Sequence, residues 1–233
     1  MKITEEWLKE NKACSQAVAY LRRNDFIGMD AIMLLIRLKK RRPEICMWGI
    51  GSCVDIPTLL EAIKIIDINA CDDFGNTSLC WACQKGHAET AKTLLERGAD
   101  VNVKNFSGDT PLHFASRYSL IELAKILLDY GADVNIKNDS AETPLHSACW
   151  LGHTETAKIL LKHGFDANVK NWRGDTPLHL SCMGNDIELA KILLDHGADV
   201  NIKNIYDQTQ LYLACTHGHR ELAKILLDYG AMV

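Results

Sequence analysis

The sequence lacks a long apolar run. None of its 233 residues belongs to an uninterrupted apolar stretch of the length, about 18 residues, that a membrane-spanning helix requires. Residues 1–7 are polar and acidic, where an export signal would be basic and then apolar. We therefore expect a cytoplasmic protein, or one delivered into a host cytosol without a classical signal peptide.

The short motifs of common catalytic sites are also missing. The chain has no Gly-x-Ser-x-Gly elbow, no P-loop, no His-Glu-x-x-His and no glycine-rich dinucleotide loop. The net charge of −4 gives no general attraction to nucleic acid or to anionic membranes. These absences predict a chain that is not an enzyme and that uses no cofactor and no metal ion.

What the chain does contain is a repeat with a period of 33 residues and no insertion or deletion. Thr-Pro-Leu-His begins at residues 110, 143 and 176, and Gly-Ala-Asp-Val-Asn begins at 98, 131 and 197. The period predicts five units, at 72–104, 105–137, 138–170, 171–203 and 204–233. A half-degenerate unit at 39–71 precedes them, and residues 1–38 are predicted to form an N-terminal helical cap.

These residues resemble the ankyrin repeat, whose 33-residue period and Thr-Pro-Leu-His-x-Ala signature they match. The resemblance implies an all-α solenoid of stacked helix-turn-helix units with projecting β-hairpin-like loops. One unit cannot bury its own apolar face, so neighbouring units must cover one another. The resemblance also implies a concave side that binds a partner.

One repeat, 138–170, shows how the local sequence sets the helices. Thr143 followed by Pro144 is typical of a helix N-cap and first helical position. Gly152 ends that helix, the second begins at His153 or Thr154, and Gly164 ends it.

The histidines and cysteines at fixed repeat positions have a structural interpretation. His113, His146 and His179 recur once per repeat, and the ankyrin resemblance implies that each ring bonds backbone and ties one loop to the next. Cys80 and Tyr212 replace this histidine in the first and last of the five repeats, so those loops should be tethered less well.

Cys80 and Cys83 form a Cys-x-x-Cys pair, but both fall inside a predicted helix. Cys149, Cys182 and Cys215 share the repeat position of Cys83. Stacked repeats lie roughly 10 Å apart, which is too far for disulfides. We expect buried, reduced thiols, as the absence of an export signal also indicates.

Positions whose residues differ from copy to copy are not required to build every repeat, so they mark the surface that can bind a partner. These are the second, third and fifth positions, at the loop tip, and the thirteenth and fourteenth, at the end of the first helix. Ankyrin repeats bind partners through the same positions, so the resemblance implies these partner-binding residues: Phe74, Lys85, Phe106, Asp109, Arg117, Tyr118, Glu142, Trp150, Leu151, Trp172, Arg173, Asp175, Met183, Tyr206 and His217.

Aromatic residues dominate that set, as they dominate the energetic centres of protein interfaces. Phe106, Tyr118, Trp150, Trp172 and Tyr206 should form a line across successive repeats, with acidic side chains among them. A partner with basic and apolar elements would fit such a surface.

The predicted function is a non-catalytic protein–protein interaction scaffold. The alternative is an effector or inhibitor of bacterial, phage or pathogen origin that blocks a target protein. A nucleic-acid-associated adaptor is less favoured, although Lys104, Lys137, Lys170 and Lys203 form a basic ladder, because acidic loop tips lie nearby.

Two features stay open in the sequence. Lys39 to Arg42 is either a targeting signal or the solvated end of a helix, where cations complement the helix dipole. The last repeat carries Gln210 and Tyr212 in place of Pro and His, yet its second helix is nearly identical to the internal ones. Its apolar strip is expected to be covered by a partner or by a second copy of the chain.

Overall fold

A computed structural model describes residues 68–232, which form ten short helices in two compact units. The described part of the first unit, 68–106, holds α1 (Ser78–Lys85) and α2 (Ala88–Glu96). The second unit holds α3 (Pro111–Arg117), α4 (Ile121–Asp129), α5 (Pro144–Trp150), α6 (Thr154–Lys162), α7 (Pro177–Met183), α8 (Ile187–Asp195), α9 (Gln210–Thr216) and α10 (Arg220–Asp228). The expected cap at 1–38 and the Lys39–Arg42 cluster lie outside the described residues, as does most of 39–71.

Each first helix begins where the repeated threonine and proline predict. In α5, Thr143 has extended backbone at the N-cap and Pro144 takes the first helical position. The side chain of His146 returns to the Thr143 backbone and completes a capping box, which also occurs in α3 and α7. The predicted boundaries of the second helix are confirmed, since α6 begins at Thr154 and ends before Gly164.

The second unit is a two-layer stack of these helix pairs. The first helices α3, α5, α7 and α9 each pack against the next, and the second helices α4, α6, α8 and α10 do the same. Leu145 and Ala148 of α5 and Leu160 of α6 are fully buried. Because each helix pair packs on its neighbours, the core is continuous, as the repeat period predicts.

The loops between repeats are tight turns rather than β-hairpins. Within residues 68–232 the only β-type pairing is an isolated antiparallel bridge between Cys71 and Thr77. In the second unit one backbone hydrogen bond joins each tip to the next, as from Trp172 N to Ser140 O at 3.1 Å. The tips approach so closely that a Cβ on Gly108 would lie 2.8 Å from the Asp139 nitrogen, which explains the glycine.

Asparagines near the ends of several repeats link each of these repeats to the following one. The Asn168 side-chain oxygen accepts from the Asp199 N–H at 2.7 Å in the second unit. In the first unit Asn69 makes the same contact with Asp100 at 2.9 Å. Asn69, in the half-degenerate segment, is therefore in repeat register.

The expectation of buried thiols holds for four cysteines and is wrong for one. Cys80, Cys83, Cys149 and Cys182 are buried. Cys215 is exposed, because within the described residues no further repeat packs on α9. None of the helices in this part of the chain has the length and apolar character needed to cross a bilayer.

Candidate functional site

Buried histidines hold the loops of the second unit in place. The Thr143 N–H donates to Nδ1 of His146, so Nε2 carries the ring proton and donates to the Asp175 carbonyl oxygen at 3.2 Å. His113 makes the equivalent bond to the Glu142 carbonyl and His179 to that of Gln208. The expectation that each ring ties one loop to the next is confirmed.

Burial also disfavours the protonated, charged form of these imidazole rings. It lowers the pKa of His146 to about 4, and it lowers the pKa of His179 as well. Both rings are therefore neutral near pH 7, as a ring that must accept at one nitrogen and donate at the other requires.

A second ladder runs through asparagines at the first position of the repeats. The oxygen of Asn138 accepts from the Ser140 and Glu142 backbone N–H groups and holds its own loop tip. Its amide nitrogen donates to the Asp109 carboxylate of the preceding repeat at 2.9 Å. Asn204 bonds Asp175 in the same way, also at 2.9 Å.

This ladder corrects the expectation that Asp109 and Asp175 are exposed at loop tips. Both are buried, with 6% and 1% of their surface accessible. The fifth repeat position differs from copy to copy, yet every copy supplies a side-chain oxygen (Asn76, Asp109, Glu142, Asp175 and Gln208). That shared acceptor chemistry is the signal by which the sequence marks a scaffold position, and a comparison of residue identities alone misses it.

A groove of about 610 Å³ lies between the loop tips and the ends of α3, α5 and α7 in the second unit. Trp150 and Trp172, each more than half exposed at 58% and 60%, stand on its walls. The groove brings together nine of the residues predicted to bind a partner: Arg117, Tyr118, Glu142, Trp150, Leu151, Trp172, Arg173, Asp175 and Met183.

The groove also includes residues that the sequence analysis did not select, namely Ser147, Asn171 and Leu180. Ser147 and Leu180 occupy the tenth repeat position, where the preceding repeat has Phe114 and the last has Leu213. Serine is much the smallest of these side chains, so the wall recedes at α5. Variation at the tenth position was the available signal.

Arg117 and Arg173 both line the groove, but they have different interaction partners. The Arg117 guanidinium donates to the Asp109 carboxylate at 2.9 Å. The Arg173 guanidinium lies over two aromatic rings, 5.9 Å from the centre of Trp172 and 5.6 Å from that of Tyr206. Its Nε is 3.6 Å from Asp175 Oδ2, and neither atom has a hydrogen-bond partner within the described residues.

Glu142 is the half-buried carboxylate of the groove. Burial raises its pKa above the ordinary value, while the charge of Arg117 and a hydrogen bond from Asn171 lower it and Asp109 raises it. The Glu142 carboxylate therefore interacts mainly with the Arg117 guanidinium among the basic groups of the groove.

The other predicted residues lie outside the groove lining. Tyr206 and His217 are exposed in the last repeat, and Tyr206 reaches the groove only through Arg173. In the first unit Phe74, Phe106 and Lys85 are exposed, so each remains available for contact there.

The lysine ladder has structural partners. The Lys137 ammonium donates to the Lys170 carbonyl oxygen at 3.1 Å, and Lys170 donates to the Lys203 carbonyl oxygen at 2.9 Å. These bonds fasten consecutive loops and give Lys137 and Lys170 a structural role.

Reactive chemistry has little support in the described part of the chain. Residues 68–232 hold no cluster of three or more His, Cys, Asp or Glu side chains that could bind a metal ion. Burial raises the pKa of Cys83 and Cys149 far above the ordinary value and that of Cys182 to about 12. Such thiols remain protonated and are poor nucleophiles.

Comparison with known protein families identifies the repeat. The family model for ankyrin repeats, built as three copies, matches residues 47–138, 107–171 and 145–233. The first of these segments extends into the half-degenerate unit. No curated protein matches the chain.

Proposed function

Because the chain belongs to the ankyrin-repeat family, whose repeats generally serve as protein–protein interaction modules, we propose that it holds a partner protein in the groove at α3, α5 and α7. The observation that carries this proposal is the exposure of Trp150 and Trp172 in the lining of one concavity. Exposed indole rings in a recess resemble the anchors that dominate the binding energy of interfaces.

The scaffold supports this assignment because its polar residues are already occupied. His113, His146 and His179 bond loop carbonyls, and Asp109 bonds Asn138. Apart from the half-buried Glu142, the side chains of the groove that remain accessible are mainly aromatic, aliphatic or guanidinium groups. We therefore propose a binding role without catalysis, in a reducing compartment such as the cytosol, since Cys83, Cys149 and Cys182 are buried thiols outside any disulfide.

The proposal is tested by capture of proteins from the lysate of the cell that produces the chain. The double variant Trp150→Ala/Trp172→Ala removes both anchors, and Tyr130→Ala is the control, since Tyr130 is an exposed aromatic residue at the end of α4, outside the groove. We expect a protein that the wild type and the control retain and that the double variant loses.

Circular dichroism should show unchanged melting for the double variant, because substitutions of exposed side chains change stability by about 0.5 kcal/mol or less. Equal capture by all three proteins would refute the groove as the binding site.

A further inference from the structure

Building on the proposed function, we infer that the groove takes a partner segment in which an acidic side chain stands beside an apolar one, with the carboxylate bound by Arg173. The partner class is a peptide segment of another protein. The inference depends on which charges of the groove a partner can reach.

The two aspartates that pair with the groove's arginines are out of a partner's reach, whereas the arginines are not. The side chains of Asp109 and Asp175 are 8% and 1% exposed, but those of Arg117 and Arg173 are 33% and 42% exposed. The remaining carboxylate, Glu142, is half-buried and interacts with Arg117, so the positive charge that a partner can reach is mainly that of Arg173. This reverses the basic partner expected from the sequence, which counted both aspartates as surface residues.

Arg173 is the guanidinium that has binding capacity to spare. Arg117 is engaged by Asp109 at 2.9 Å and is also the basic neighbour of Glu142. The buried Nε of Arg173 lies 3.6 Å from Asp175 Oδ2, outside hydrogen-bond range, so the donors that a partner can reach are the terminal nitrogens of this 42% exposed side chain. The rings of Trp172 and Tyr206 lie 5.9 and 5.6 Å from its guanidinium carbon and restrict its movement, and a guanidinium can bind a carboxylate through two parallel hydrogen bonds.

The rest of the groove supplies the apolar half of the site. Trp150 and Leu151 are exposed at the end of α5, and Met183 at the end of α7 also lines the groove. An aliphatic or aromatic side chain of the partner can pack there while its acidic neighbour reaches Arg173. A segment with only one of these two features would use half of the surface.

The test is selection from a random dodecapeptide library displayed on phage, panned on the wild-type chain. An enriched peptide is synthesised in three forms, with its acidic residue kept, replaced by Gln, or replaced by Lys. Affinities are measured for the wild type, for Arg173→Lys and for Arg173→Gln/Asp175→Asn. The double variant removes both charges, so no buried carboxylate loses its counter-ion, and melting curves check its fold.

We expect enrichment of Asp or Glu next to apolar residues. Replacing the acid by Gln should weaken binding about tenfold, as should the double variant, because a hydrogen bond between charged groups is lost. Arg173→Lys should fall between, since it keeps the charge and loses the planar fork.

Enrichment of basic residues, or equal affinity for the Glu and Gln forms, would overturn the inference and leave the groove as a binding site. Displacement of the peptide by a single-stranded oligonucleotide that binds more tightly would also overturn it. If peptide binding is instead unaffected by Trp150→Ala/Trp172→Ala, the proposed function itself fails.

Discussion

Repeat 138–170 and the last repeat follow one plan but use their first helices differently. In α5, His146 is fully buried and bonds the next loop, whereas Tyr212 at the same position of α9 is 50% exposed. In α5, Ser147 opens the groove, whereas Leu213 fills the same position in α9. The difference separates residues that join repeats from residues that shape a recess, and each of the two sets can be tested alone.

Exchanging the residues at the histidine position should give the largest difference. His146→Tyr should lower the free energy of unfolding by roughly 2 to 4 kcal/mol, because it overfills a buried site and removes the hydrogen bond from the ring to the Asp175 carbonyl. Tyr212→His should change it by about 0.5 kcal/mol or less. Urea denaturation followed by circular dichroism measures both, and equal losses would contradict the comparison.

Acid should destabilise repeat 138–170 through His146. The folded pKa of His146 is about 4, below its ordinary value. Below the unfolded value, near 6.5, the unfolded chain gains a proton that the folded chain refuses, so stability falls as the pH drops toward 4.

The loss from His146 alone should approach roughly 3 kcal/mol by pH 4. Denaturation midpoints at pH 7 and pH 4.5 should therefore differ more in the wild type than in His146→Gln, which has no titrating ring. Identical pH dependence of the two proteins would exclude His146 as the acid-sensitive group.

Binding should distinguish the two repeats next. Trp150→Ala should weaken the binding affinity for the captured partner by about thirtyfold or more, as expected for an interface anchor. His217→Ala, at the end of α9 and outside the groove lining, should change it by less than about threefold. Titration calorimetry with that partner measures both, and a larger effect for His217 would move the binding site to the last repeat.

The smallest expected effect lies in the loop tips. Ala141 has a positive φ of 53° at the position where three other tips have glycine, and Asp207 has 59°. Ala141→Gly should stabilise the chain by about 0.5 to 1 kcal/mol, because alanine is strained in this conformation. Asp207→Gly should stabilise the chain less, since aspartate tolerates a positive φ better than alanine does. A loss on Ala141→Gly in urea denaturation would contradict this reasoning.

The sequence was sufficient for the scaffold because scaffold residues repeat. Thr143, Pro144 and His146 predicted the cap, the helix start and the loop tie, and the structure shows all three. Their physical roles are local, or reach only one repeat away, so a fixed period reveals them.

The groove was only partly predictable because its shape depends on the three-dimensional packing of unlike residues. Trp150 and Trp172 were identified by their variation, but Asp175 varies in identity while it keeps one acceptor role. The depth at Ser147 comes from a missing side chain, and the ring contacts of Arg173 join residues of two repeats. A comparison of residue identities between repeats predicts none of these three features.

The central claim is that the recess beside Ser147 is where the partner sits, and refilling it tests this most directly. Ser147→Leu installs the residue that α9 has at this position, and Ser147→Ala is the matched control that leaves the recess open. We predict that the leucine variant folds normally and loses the captured partner, while the alanine variant binds it as the wild type does. Undiminished binding by a folded Ser147→Leu protein would contradict the account.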